Sequence, residues 1–234
     1  MAHLIKALSS HASVLMIAKE VFDGVFRVNG KLATVNFVQG EKVYGEELVK
    51  ADGKEYRLWN PYRSKLAAAI LKGMKHMQIK KGSKVLYLGA ATGTTCSHIS
   101  DIISTEGELY CVEISERSVR DLIKVCEKRE NMLPILENAR DVDKYAEEVG
   151  TADVLYQDIA ARDQAQILIE NSRFIAKGSY AYVAIKSQSI SVSKNPKVVY
   201  KEFLKAVSGT FDVVESMDLM PFDRMHLFAV LKKR

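Results

Sequence analysis

Over residues 14–57 the apolar positions fall in short runs, separated by Asp23-Gly24, Asn29-Gly30 and Asp52-Gly53. Such pairs supply the positive φ angles of tight hairpin turns, so the stretch predicts a small antiparallel β domain. The pattern breaks at Leu58-Trp59-Asn60-Pro61-Tyr62, where proline restricts the residue before it and suits the first turn of a helix. A boundary placed there gives residues 1–57 to the small N-terminal domain and 58–234 to a larger one.

Beyond the boundary the period changes. Leu66, Ala69, Ile70 and Met74 recur at helical spacing and predict a helix over 63–77. Strand-like apolar runs follow at 85–88, 109–114, 133–136, 154–156 and 180–185, with helical patterns over 115–129 and 164–176 among them. Strands alternating with helices build a doubly wound, mostly parallel α/β sheet. After a last helix near 198–207, the runs 212–217 and 226–231, joined by a turn at Pro221, pair antiparallel at one sheet edge.

Composition narrows this only a little. With 47% hydrophobic residues and four prolines the chain predicts a well-buried core and excludes a disordered one. The net charge of +5 suits a polyanionic partner without demanding it. Cys96, Cys111 and Cys126 are widely spaced with no C-x-x-C pair, so neither a metal site nor a disulfide framework is expected and all three read as buried small hydrophobes. The fairly apolar stretch over 1–18 is interrupted by Ser9, Ser10, His11 and Ser13, short of a signal-peptide core. No run reaches the ~20 apolar residues of a membrane helix. The expectation is a cytoplasmic protein with no membrane partner.

The chemistry begins at Tyr87-Leu88-Gly89-Ala90-Ala91-Thr92-Gly93-Thr94-Thr95, between the first strand of the larger domain and a helix. Small residues there let the backbone turn sharply and bring a ligand onto main-chain N–H groups. The spacing Gly89-x-Ala91-x-Gly93 differs from the G-x-G-x-x-G of dinucleotide sites, so an adenosine-type ligand without phosphates fits better than a pyrophosphate. Glu113 ends the second strand twenty residues beyond Gly93, where a doubly wound fold presents a carboxylate to ribose hydroxyls; the plain reading is a surface glutamate. Glu137-Asn138-Ala139 ends the third strand, either offering a polar group to adenine or forming an ordinary loop, and Asp158 stands at the carboxyl end of the fourth. A nicotinamide-dependent oxidoreductase shares this order of elements, but the loop spacing speaks against it.

Trp59-Asn60-Pro61, Arg63-Ser64-Lys65-Leu66-Ala67-Ala68, the run 85–95, Pro134-Ile135-Leu136, Gln157-Asp158-Ile159-Ala160 and Ile185-Lys186-Ser187 together resemble fibrillarin, the archaeal form above all. The motifs recur in the family's order and the resemblance extends over residues 23–231. It implies a Rossmann-type methyltransferase that uses S-adenosyl-L-methionine to methylate ribose 2'-hydroxyls of rRNA or tRNA. It further implies a box C/D ribonucleoprotein with a guide RNA, a Nop-family scaffold protein and a kink-turn-binding protein. By the same resemblance the cofactor contacts, beyond the loop residues Gly89, Ala91 and Gly93, are Thr94, Thr95, Glu113, Ile114, Asn138, Ala139, Asp158, Ile159, Ala160 and Ala161. Two positions depart from the pattern: the family usually has aspartate where Asn138 stands and glutamine where Ala161 stands.

The catalytic set implied is Lys65, Asp158, Lys186 and His226. A sulfonium is already an excellent methyl donor, so the enzyme's work is to position and deprotonate the 2'-oxygen. Lys186 is assigned as general base, a role that requires a neutral amine and is helped by nearby positive charge from Lys65 and the sulfonium. Asp158 is expected to orient both lysines, and His226 to support substrate binding. Arg63, Lys194, Lys197 and Lys201 are candidates for phosphate contacts or simply a solvated face. Two other readings share the cofactor half: a methyltransferase acting on protein side chains, and a non-catalytic ribonucleoprotein subunit, the latter motivated by Asn138 and Ala161.

Overall fold

The computed structural model describes residues 17–234, so the first positions of the expected β stretch and most of the apolar N-terminal segment lie outside the described residues. Five short strands come first: β1 (Ala18–Phe22), β2 (Val25–Val28), β3 (Lys31–Val35), β4 (Leu48–Ala51) and β5 (Lys54–Leu58). They form one antiparallel sheet in the order β1-β2-β3-β5-β4. Asn29-Gly30 and Asp52-Gly53 adopt positive φ in its turns, as hairpins of this kind require.

The larger sheet contains β6 (Lys84–Leu88), β7 (Glu108–Glu113), β8 (Met132–Leu136), β9 (Ala152–Gln157), β10 (Ile175–Lys186), β11 (Phe211–Asp218) and β12 (His226–Lys233). Helices α1 (Lys65–Leu71), α2 (Thr94–Ile103), α3 (Glu116–Cys126), α4 (Ala146–Val149), α5 (Gln164–Asn171), α6 (Ser187–Ile190) and α7 (Pro196–Val207) precede, connect and flank these strands. Strand order is β11-β12-β10-β9-β6-β7-β8; the pairs from β10 to β8 are parallel, whereas β12 runs antiparallel to both its neighbours. From β6 the chain winds outward through β7 and β8, then returns to place β9 on the other side of β6. Direction reverses at that point, and a crevice opens beyond the carboxyl ends of β6 and β9. Two apolar clusters, one on each face, bury the central strands, which explains their nearly continuous hydrophobic runs.

Three expected elements differ in extent. The helix expected over 63–77 is only α1, because Ser64 caps its start, its Oγ accepting from the Ala67 amide, and Gly73 takes φ +95° just beyond its end. Leu66, Ala69 and Ile70 pack inward from the helix, but Met74 is buried from the loop after it. The helix expected over 164–176 stops at Asn171, followed by one 3-10 turn over Ser172–Phe174, and β10 then begins at Ile175, five residues early. Of the cysteines, Cys96 and Cys111 are buried and Cys126 is only partly so.

The two sheets are joined by buried polar groups. Arg57 on β5 donates through Nε to Glu46 (2.6 Å), and through Nη1 to Asp101 on α2 (2.8 Å). Arg129 Nη1 reaches the other oxygen of Asp101 at 2.6 Å, while Thr34 on β3 donates to Asp101 Oδ2 at 2.6 Å. Glu46 and Asp101 thus supply two carboxylates for two guanidinium groups where water cannot reach, the condition under which buried charge is tolerated. His98, a turn earlier on α2, lies between Thr34 Oγ1 (2.8 Å) and Tyr44 Oη (2.7 Å) and stacks on Trp59.

Candidate active site

The crevice contains a cavity of about 350 Å3. Gly89 and Ala91 form one wall, Glu113 and Ile114 the rim at the end of β7, Asn138 and Ala139 the end of β8, and Asp158, Ile159, Ala160 and Ala161 the end of β9. Lys186 reaches into the same cavity. Gly93, Thr94 and Thr95 are not in its wall. Gly93 caps α2, and Thr95 turns into the core, where its hydroxyl donates to Ser64 Oγ at 3.1 Å. Glu137, from the strand end singled out in the sequence, also lines the cavity, and Ser118 and Arg140 line it unannounced by the sequence.

Gly89 explains why the loop must be small. It holds φ +86°, and a Cβ there would stand 2.6 Å from the carbonyl oxygen of Asp158. No larger residue fits without moving that carbonyl. The Asp158 amide in turn donates to Leu88 O at 2.9 Å, so the ends of β6 and β9 are locked together.

Glu113 is already oriented: Oε2 accepts from the Ala91 amide at 2.8 Å and Oε1 from the Ser115 amide at 2.9 Å. Each oxygen keeps a lone pair for a ribose hydroxyl. Asn138 Oδ1 accepts from the Arg140 amide at 3.1 Å, which fixes the side chain at the mouth. Ile114, Ile159 and Ala139 give the cavity an apolar wall. At Ala161 the side chain ends at Cβ, but its carbonyl accepts from Gln164 Nε2 at 3.1 Å, and Gln164 Oε1 accepts from the Lys186 amide at 3.2 Å. Gln164, fully buried, therefore ties the cavity wall to the end of β10, a link the sequence concealed because it looked like the first residue of an ordinary helix.

At the inner end of the cavity Lys65, Asp158, Lys186 and His226 come together. Lys65 Nζ donates to Asp158 Oδ2 at 3.1 Å. Lys186 Nζ donates to the Asp158 carbonyl oxygen at 2.8 Å and lies 2.8 Å from Oδ1. Lys186 and His226 are directly opposed on the antiparallel pair β10 and β12, so their side chains rise from the same face of the sheet. Asp158, Lys186, Lys65 and His226 have side chains 13 to 20% exposed, sheltered enough for ion pairing to count yet open to a substrate.

A fifth group completes the cluster: Asp223, in the turn before β12. Its Oδ1 lies 2.8 Å from His226 Nδ1 and its Oδ2 3.6 Å from Lys65 Nζ. Burial opposes the charge on Lys65, but Asp158 and Asp223 prevail and hold its ammonium above the ordinary lysine range. Burial likewise works against ionised Asp223, and the His226 contact followed by Lys65 keeps it below the usual carboxylate value. An acid three residues before His226 was the available signal, hidden in a turn that carried no periodicity.

Arg63 lies over the Tyr44 ring, 5.8 Å from its centroid, whereas Lys194 pairs with Glu202 at 2.7 Å. Among the described residues no group of histidine, cysteine and carboxylate side chains is disposed to hold a metal ion, and no helix is long and apolar enough to cross a membrane.

A family model described as Fibrillarin matches residues 16–234. The chain is 46% identical over 225 residues to a Thermococcus onnurineus protein named fibrillarin-like rRNA/tRNA 2'-O-methyltransferase, covering 94% of this chain and 100% of that one. Among solved structures, Aeropyrum pernix fibrillarin in complex with natively bound S-adenosyl-L-methionine is similar at a TM-score of 0.85 and 43% identity, over 92% of this chain and 97% of that one. A chain of a fibrillarin/Nop5p complex is similar at a TM-score of 0.84 and 36% identity, over 92% of this chain and 100% of that one.

Proposed function

We propose, because this chain belongs to the fibrillarin family, that it is the catalytic subunit of a box C/D ribonucleoprotein. In this reading it methylates ribose 2'-hydroxyls of rRNA or tRNA at positions chosen by a guide RNA, and it works with a Nop-family scaffold and a kink-turn-binding protein. It is an S-adenosyl-L-methionine-dependent 2'-O-methyltransferase. The observation that carries the methyl-transfer reading is that Asp158 both lines the cavity and binds the two lysines.

The residues fit the cofactor. Glu113 would hold the ribose, Asn138 the adenine edge, and Ile114, Ile159 and Ala139 the adenine faces. Bound there, S-adenosyl-L-methionine supplies an activated methyl group and a positive charge. The chain's own residues do the rest. Lys186, held by two oxygens of Asp158, keeps a direction of its amine unoccupied for the 2'-hydroxyl, and as the free amine it accepts the hydroxyl proton. Lys65 holds Asp158 from its other oxygen and places a second positive charge beside the developing alkoxide. A paired RNA strand suits this site, because an A-form duplex displays its 2'-hydroxyls in a wide, shallow groove.

The test is transfer of labelled methyl groups from S-adenosyl-L-methionine to a guide-paired target in a reconstituted particle. Label is expected with the wild-type chain and a 2'-hydroxyl target, and is lost with Lys186→Ala or a 2'-deoxy target. Bound cofactor without transfer would instead favour methylation of a protein side chain or a non-catalytic role, to which Asn138 and Ala161 lend their departures from the family pattern.

A further inference from the structure

Five charged or ionisable groups follow one another across the site: Lys186, Asp158, Lys65, Asp223 and His226. The resemblance to the family accounts for four of them. The fifth, Asp223, touches no wall of the cofactor cavity, yet it is the link between His226 and the lysines.

The turn that carries Asp223 is fixed from both sides. Lys72, at the end of α1, donates to the carbonyl of Met220 at 2.8 Å, and the Phe222 ring meets Tyr62 edge to face at 5.3 Å. On the opposite side, Ser187, the residue after Lys186, donates its hydroxyl to the carbonyl of Met225 at 2.9 Å. Met225 holds φ +59°, a left-handed conformation that costs a non-glycine residue free energy and persists only where its surroundings enforce it. The turn is therefore built between the elements that carry Lys65 and Lys186.

We propose that Asp223 is a positioning residue for methyl transfer, acting through His226 and Lys65. His226 Nδ1 faces two acceptors, Asp223 Oδ1 at 2.8 Å and the Arg224 carbonyl at 2.7 Å, so Nδ1 bears the proton. Nε2 then has no protein partner among the described residues and is the nitrogen offered to the RNA. Toward Lys65, Asp223 Oδ2 competes with Asp158 Oδ2 for one ammonium. That competition keeps Lys65 from closing on Asp158 and drawing its carboxylate off Lys186. One carboxylate thereby sets a ring on the substrate side and the spacing of two amines on the other.

This inference rests on the methyl-transfer reading above, and its test uses the same reconstituted particle, with cofactor affinity and single-turnover transfer measured separately. Asp223→Ala is expected to bind S-adenosyl-L-methionine with wild-type affinity and to transfer methyl groups about tenfold to hundredfold more slowly, the penalty typical of a misplaced reacting group. Asp223→Asn keeps the shape and an acceptor for His226, and is expected to lose less; Asp223→Glu recovers part of the rate. In Asp223→Ala combined with His226→Ala the loss is expected to be smaller than the product of the two single losses, because the part of the Asp223 effect that acts through His226 is counted only once. Transfer within about twofold of wild type in both Asp223→Ala and Asp223→Asn overturns the proposal. So do losses that multiply in the double variant, or a defect that saturating cofactor repairs. A wild-type particle that transfers no label removes the methyl-transfer reading itself, and this inference with it.

Discussion

Lys186 Nζ lies 2.8 Å from two oxygens of a single residue, the main-chain carbonyl and Oδ1 of Asp158. One backbone position therefore controls both the direction and the electrostatic surroundings of the amine. Substitution by arginine preserves the positive charge but removes any lone pair at accessible pH. Lys186→Arg is expected to retain cofactor binding and to lose transfer by about 100-fold or more, as for loss of a general base. Single-turnover assays at saturating cofactor decide this, and an arginine variant near wild-type rate would show that charge alone suffices.

Gly89 and Lys186 both adjoin that carbonyl oxygen. A methyl group on Gly89 would have to displace the Asp158 carbonyl, 2.6 Å away, and would also meet a cost of about 1–2 kcal/mol for a left-handed alanine. Gly89→Ala is expected to lower the melting temperature, weaken cofactor binding and slow transfer even when cofactor is saturating. A variant whose only defect is affinity would mean that the carbonyl's position does not matter to Lys186.

At the cavity mouth Asn138 presents a neutral acceptor whose Oδ1 already serves the Arg140 amide. Aspartate fits the same geometry and adds charge, and Arg140, whose Nε and Nη2 already pair with Asp163, keeps its Nη1 3.5 Å from Oδ1. A charge-assisted hydrogen bond exceeds a neutral one by roughly 1 kcal/mol. Asn138→Asp is therefore expected to tighten S-adenosyl-L-methionine binding by about fivefold by calorimetry. Unchanged or weaker binding would place the adenine amino group elsewhere.

His98 gives stability a pH dependence separate from catalysis. Burial first, then the charges of Arg57 and Arg129, hold its imidazole well below the usual histidine range. The unfolded chain binds this proton near pH 6.5 and the folded chain does not, so the contribution is complete above about pH 7 and declines as pH falls through 6.5. Urea midpoints between pH 7 and pH 5 should drop for the wild type and drop less for His98→Gln. Equal slopes would mean that the folded protein accommodates the charged ring.

The sheet was legible in the sequence because its central strands are buried on both faces and spell unbroken apolar runs such as Val183-Ala184-Ile185. The loop at Gly89 was legible because close backbone approach leaves few residue choices. Helix ends were less so: α1 stops where Gly73 turns left-handed, although the apolar spacing continues to Met74. The start of β10 was hidden because Ile175 follows the 3-10 turn directly, and a register shift near Gly178 breaks its alternation. Asp223 and Gln164 escaped for a different reason. Their roles arise from contacts across the fold, to Lys65 and to Lys186, and no local period records a contact of that range.

The polar seam beneath the small sheet has a consequence for chimeras. Thr34, Glu46 and Arg57 come from one side, and His98, Asp101 and Arg129 from the other; each is buried and bonded to a group across the junction or to one that is. A hybrid that joins the first sheet of one relative to the second sheet of another inherits half of this lock. Unless all six side chains travel together, it strands a guanidinium or a carboxylate where water cannot reach, at a cost of several kcal/mol. The transferable unit is therefore the pair of sheets, and a crossover at the turn around Trp59 runs through the middle of a shared foundation.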